Sequence, residues 1–366
     1  MERNAKSVNL DFEQSRWEKI RKDAARWWAG ELERPLLYIT RKDRNPGRPE
    51  PALPWRKYLP AYDFSISAEE IIDRLEYELC RLHFYGDAYP HLRPNFGAGV
   101  IAAFLGGRLE NRDETVWFFP RDESEAENIR FRFNPENIWF RRVKEIFHAA
   151  MERWGGIVQL AMTDLGGNLD IVSSFRPGAK LLLDLYDCPD EIKRLTWEAH
   201  DAWWQYFYEF DSILRPLNPG YNAWTPIFSE TPYYMLQCDF CYMISPEMFE
   251  EFAKPELAAS CRKLAHPFYH LDGQGQLVHL DSLLSIPELR GVQWIPGEGS
   301  PDIRHWPEVF RKIRSAGKLI QFFGDVDDLD VIVEQLGSPE GILLVSWETE
   351  KSEKEILDAL KKYGAL

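Results

Sequence analysis

Stretches in which apolar residues recur every three or four positions alternate along this chain with short continuous apolar runs, and this alternation sets the first expectations. Residues 11–33 place Trp17, Ile20, Ala24 and Trp27 on one helical stripe that stops near Gly30. The run PLLYIT (35–40) has strand length and leads into a loop rich in proline and glycine. Ser67 and Glu70 form a capping box that opens a helix striped by Ile71, Leu75, Leu79 and Leu82. A second strand in HFYGDAYP then exits at Asp87, and 95–120 reads as an excursion made of a small-residue helix, a turn and a strand. Helix 135–151 is closed by Gly155 and Gly156, and the strand in IVQLAMTDLGGNLD exits at Thr163 and Asp164. Asp187 and Pro189 open a long helix over 190–214, and YNAWTPIFS reads as strand-like ahead of YYMLQCDFCYMIS. In the last third PFYHLD, GVQWIP, KLIQFFGD and GILLVSWE alternate with helices at 278–285, 307–315, 328–336 and 353–363.

Roughly eight strand-then-helix units predict an α/β fold with a parallel sheet closed as a TIM (β/α)8 barrel. A helical extension over 1–34 precedes a barrel over 35–366, the whole forming one domain. No G-x-G-x-x-G follows any strand, which argues against a doubly wound open sheet. A barrel gathers its strand exits into one mouth, so the polar residues at those exits are the candidate site. On PFYHLD the two-residue period puts Phe268, His270 and Asp272 on one face, with Gly273 and Gly275 turning the chain directly afterwards. Ser346 and Glu348 share a face in the same way on GILLVSWE. His270, Asp272 and Glu348 are therefore the candidate ligands of zinc or a similar divalent ion. The same residues also fit a metal-free hydrogen-bonded cluster, or a histidine acid/base held by a carboxylate. Asp87, Asp164, Asp239, Gln321 and Asp325 complete the polar rim, while Arg41, Arg44 and Arg48 form a basic loop able to hold substrate carboxylates.

Charge and cysteine usage narrow the partners. The net charge of −15 lacks the basic footprint that phosphate backbones or acidic membranes require, which leaves a small-molecule substrate as the expectation. Five scattered cysteines suit a reducing compartment, and Cys238-Asp-Phe-Cys241 is a lone C-x-x-C without the second pair that a structural zinc needs. With no signal-peptide core and no apolar run of about 20 residues, the expected location is the cytoplasm.

The segments YHLDGQGQLVHLDSLLSIPELRGVQWIPGEG, QCDFCYMISPEMFEEFAKPEL, DLYDCPDEIKRL and KLIQFFGDVDDLDVIVEQL, in that family's order if not in every residue, resemble the uroporphyrinogen decarboxylase superfamily, which includes the corrinoid (cobalamin)-dependent methyltransferases. The resemblance implies a single barrel with its ligand in the mouth, and it suggests a homodimer. In the decarboxylases an arginine signature holds the substrate's acid groups and an aspartate after the second strand binds pyrrole N–H groups; here the arginine signature is missing, and Asp87 in YGDAY matches the aspartate approximately. In the methyltransferases a histidine and two cysteines bind zinc; His270 matches the histidine, Asp272 replaces the first cysteine, and Ser346 to Glu348 replace the second. Oxygen in place of sulfur makes the expected site harder. The resemblance therefore implies a corrinoid-linked methyltransferase acting on a small methylated compound, with the corrinoid as a substrate or on a partner protein. A porphyrinogen carboxy-lyase using Asp87 and the arginine loop, and a non-catalytic barrel that binds a tetrapyrrole or metabolite, are its alternatives.

Overall fold

A computed structural model describes residues 8–112 and 115–366; the first seven residues of the expected extension and two at the tip of the excursion lie outside them. Eleven strands follow in chain order: β1 (Leu36–Arg41), β2 (His83–Gly86), β3 (His91–Leu92), β4 (Arg108–Arg112), β5 (Thr115–Phe119), β6 (Gln159–Leu160), β7 (Tyr233–Gln237), β8 (His266–Asp272), β9 (Gly291–Ile295), β10 (Leu319–Phe323) and β11 (Ile342–Ser346). The fold is mixed α/β around a seven-stranded sheet ordered β2-β1-β11-β10-β9-β8-β7. From β1 round to β7 every pairing is parallel. These strands are buried on both faces and read as nearly continuous apolar runs, as covered parallel strands do. Two small sheets stand apart, a parallel pair of β3 with β6 and a hairpin of β4 with β5.

β2 runs antiparallel to β1, with Thr40 opposite Phe84 and Arg41 opposite His83. The expectation of a second strand running the same way as the first is corrected here. The helix Ala68–Leu79 delivers the chain to the carboxyl end of β1, where the Arg44 amide donates to the Arg81 carbonyl at 3.1 Å, so the strand that follows has to run back. Its exit therefore lies at the amino end of β1. YNAWTPIFS likewise forms no strand beyond a single bridge between Tyr221 and Ser229.

Local signals hold where they are strongest. Both capping boxes, Ser67 with Glu70 and Ser352 with Glu355, are formed, and Gly30 and Gly337 end their helices in the left-handed conformation. The N-terminal helix Arg16–Ala29 buries Trp17, Ile20, Ala24, Trp27 and Trp28. The Trp27 indole donates to the Ile342 carbonyl at 3.2 Å, and Trp28 stacks on His266 with 4.2 Å between ring centroids, so this helix covers the amino ends of β8 and β11. Among the described residues no helix is long and apolar enough to cross a membrane.

Candidate metal centre

Parallel pairing of β7 with β8 sets Gln237 opposite His270, which places the residues just beyond each strand side by side. Asp239 leaves β7 at the first turn of a short helix, and Asp272 is the last residue of β8. One donor atom from each of Asp239, His270 and Asp272 lies within 4.8 Å of the other two. Donors bound to a single zinc at about 2.0–2.2 Å stand roughly 3–4 Å apart, so side-chain adjustment closes the trio onto an ion. An O, N, O set of this kind could hold a divalent cation of the zinc type.

The imidazole is oriented from behind. His270 Nδ1 donates in a short hydrogen bond to Gln293 Oε1, its register partner on β9, and Gln293 Nε2 donates to Gln321 Oε1 on β10 at 2.5 Å. With Nδ1–H committed to Gln293, Nε2 is the ring atom left facing Asp272, 3.7 Å away. Trp224 closes one side with its indole edge-on to the imidazole, 4.8 Å between centroids. Gly273, at φ 79°, turns the chain away directly below.

Acidic groups crowd the same end of the sheet. Asp170 accepts the amides of Asp239 and Phe240 at 3.0 and 2.8 Å, pinning the turn after β7. Gly167 packs so tightly on β7 that an added Cβ would stand 2.2 Å from the Gln237 carbonyl oxygen. Asp239 keeps a face open to solvent although protein encloses it on most sides. That enclosure, with Asp170 and Asp272 adding repulsion against the attraction of His270, pushes its carboxyl up to about 7. His270 is raised as well, because Asp272, Asp239 and Gln293 outweigh the burial that opposes its charge. Asp164 is buried and raised by that burial, with Arg93 opposing. A cluster of mutually repelling carboxyls around one histidine is an arrangement whose repulsion a bound cation would relieve.

The other residues singled out in the sequence fall elsewhere. Glu348 lies beyond β11, three strand steps from β8 or about 14 Å along the sheet at ~4.8 Å per step, and pairs with Lys42 at 3.1 Å. Asp87 sits at the amino end of β1, where it accepts two bonds from Arg34 at 2.7 and 2.8 Å and the Leu37 amide at 2.8 Å. Arg41 pairs with Asp43, Arg44 donates to Asn9 and to the Cys80 carbonyl, and Arg48 holds Asp73. Asp325 caps the helix Val326–Leu336. Ser346 is buried at the end of its strand. Cys238 and Cys241 are buried with their sulfurs 3.0 Å apart. The structure thus brings His270 and Asp272 together with Asp239, and Gln321 supports them through Gln293. Gln293 and Trp224 carry parts of the site that the sequence reading did not single out.

No family model matches the chain, and no curated protein matches it significantly.

Proposed function

We propose that this chain is a uroporphyrinogen decarboxylase-like barrel enzyme that uses a divalent metal to transfer a methyl group from a small methylated compound to a corrinoid. The barrel part of the reading draws on strand number: six parallel strands of the large sheet, together with β3 and β6, make eight. The observation that carries the chemistry is the convergence of Asp239, His270 and Asp272 at the carboxyl ends of adjacent strands. When bound there, the metal would act as a Lewis acid on the atom that carries the methyl group. With two carboxylates in place of thiolates, the donor set favours a methyl group on oxygen or nitrogen over one on sulfur.

The chain's own residues have distinct parts in this reading. Gln293 and Gln321 fix the imidazole, and Asp272 and Asp239 supply the negative charge that retains a cation. The corrinoid would be a substrate that accepts the methyl group at its reduced cobalt, and the heteroatom, left with the electron pair of the broken bond, would take a proton from water. Trp224 packs against the imidazole and would limit water on that side. The carboxy-lyase alternative gains no comparable support, since Asp87 and the arginines of the 41–48 loop are engaged with partners of their own.

The test uses cob(I)alamin as acceptor, with zinc-loaded protein and a panel of small methyl ethers and methylamines. Appearance of the methylcobalamin spectrum, abolished by His270→Ala, is the expected result. No methyl transfer from any member of the panel overturns the reading.

A further inference from the structure

Several lysines of this chain end on carboxylates or carbonyls: Lys42 pairs with Glu348, Lys144 with Glu209 and Lys193 with Glu251, and Lys318 donates to the carbonyls of Ile286, Pro287 and Leu289. Lys263 alone among the described residues meets an imidazole, its Nζ standing 3.2 Å from His200 Nε2. The other ring nitrogen, Nδ1, lies 2.8 Å from Glu256 Oε1, which also accepts the Ser260 hydroxyl at 2.6 Å. A carboxylate accepts and a lysine has only protons to offer, so Nδ1 carries the ring hydrogen and Nε2 receives from the amine. His200, Glu256 and Ser260 are buried, whereas Lys263 is exposed as the last residue of the helix Lys254–Lys263. A nucleophile in reach of a base, with that base oriented by an acid, is the arrangement that activates nucleophiles in catalysis. The protein around the amine also lowers the Lys263 ammonium, against the pull of Asp201 and Glu256, which makes the neutral amine easier to reach.

Aromatic rings frame this amine. Lys263 Nζ lies 4.9 Å from the centroid of the Trp204 ring, Trp204 stands 5.5 Å from Tyr208, and Trp197 meets His200 edge-on at 5.2 Å. Positions 197, 200, 204 and 208 recur at three- and four-residue intervals, so they share one face of the helix Pro189–Leu214, on which Trp197 and Tyr208 are exposed. Asp201 and Glu256 lend the surroundings a negative field, which disfavours an anionic reactant. Lys263 precedes β8, so the length of that strand, about 20 Å at ~3.3 Å per residue, separates it from Asp272 at the other end.

We propose that Lys263 is an amine nucleophile that condenses with a small, neutral aromatic aldehyde to form a Schiff base, in a site separate from the cluster of Asp239, His270 and Asp272. The amine attacks the carbonyl carbon, the carbon–nitrogen bond forms, and the electron pair of the carbonyl π bond moves to oxygen. A proton leaves nitrogen for His200 Nε2, where Glu256 stabilises the imidazolium, and His200 returns it to the oxygen. The second nitrogen proton follows, the oxygen departs as water, and the carbon–nitrogen double bond closes. Each condensation thus needs a base and then an acid at one place, and His200 serves as both. Trp197, Trp204 and Tyr208 offer ring faces and edges to the aromatic body of the aldehyde.

Reductive trapping tests this on the full chain at neutral pH, with cyanoborohydride and either benzaldehyde or its anionic counterpart formylbenzoate, followed by mass mapping of the labelled peptides. With benzaldehyde, Lys263 is expected to label on the order of tenfold or more faster than the exposed Lys354 and Lys361, as general acid/base assistance implies. Formylbenzoate should label Lys263 more slowly than benzaldehyde does, and His200→Gln should bring Lys263 down to the rate of the other two lysines. A contact that merely fastened two helices together would make Lys263 the slowest of the three. Labelling of Lys263 no faster than that of Lys354 and Lys361, a preference for formylbenzoate, or an undiminished rate in folded His200→Gln would each overturn the proposal. Should His200→Gln not fold, the comparison among the three lysines of the unaltered chain decides.

Discussion

Asp87 is the residue whose position in the sequence and position in the fold suggest opposite roles, and replacing it separates them. Its side chain is 7% exposed and receives two bonds from Arg34, one from the Leu37 amide and a longer one from Lys19 at 3.4 Å. In Asp87→Ala, Arg34 keeps Asp23 and the Pro35 carbonyl, each at 2.8 Å, and a guanidinium that is itself 13% exposed loses its main counter-charge. Removing one partner of a buried pair costs about 3–5 kcal/mol, because the other charge is left uncompensated. With an unfolding entropy of ~2.1 cal/mol/K per residue, a chain of this length gives up about 1 °C for each 0.8 kcal/mol, so the melting temperature should fall by roughly 4–6 °C. Differential scanning calorimetry reads the change, and zinc titration of the same variant should give unaltered affinity. Unchanged melting with lost zinc binding or lost activity would show that Asp87 belongs to the site and that its placement at the amino end of β1 is wrong.

Other consequences follow from the same geometry. Gln293→Leu frees the His270 ring to rotate, and zinc affinity should drop about 10- to 100-fold in a competition assay with the fold retained. In the metal-free protein, the raised groups Asp239 and His270 bind protons more tightly folded than unfolded, so their contribution favours the folded state at low pH and is lost as pH rises through about 7. Melting temperature measured with chelator should thus decline between mildly acidic and mildly alkaline pH, and Asp239→Asn should flatten that decline. Zinc affinity should move the other way, rising with pH as the ligands lose their protons.

What the sequence made legible was whatever local chemistry decides. Ser67 with Glu70 and Ser352 with Glu355 begin helices because each pair satisfies amides within one turn, and the apolar runs at 36–41 and 342–346 are strands because both their faces are covered. The direction of β2 was not legible, since it depends on where the helix Ala68–Leu79 returns the chain and not on the residues of the strand. The pairing of His270 with Asp272 on one face followed from the two-residue period alone. Their third partner did not, because strand order chooses it: Glu348 offered the same pattern beyond β11, whereas Asp239 sits beside them just beyond β7. A usable signal existed, as consecutive parallel units tend to be neighbours, which favours the acid at the exit of YYMLQCD over one near the end of the chain. Gln293 and Gln321 also left a trace, each a lone amide inside an otherwise apolar strand. Trp224 left none, because a long loop brings it to the imidazole.

In the proposed function Asp239, His270 and Asp272 together bind one divalent cation. Metal content of protein purified without chelator and re-equilibrated with zinc tests it most directly, measured side by side for the unaltered chain and for Asp239→Ala, His270→Ala and Glu348→Gln. One ion per chain is expected, lost in the first two variants and retained in Glu348→Gln. A chain that takes up no zinc, or one that keeps its ion without Asp239 and loses it without Glu348, would refute this three-residue site.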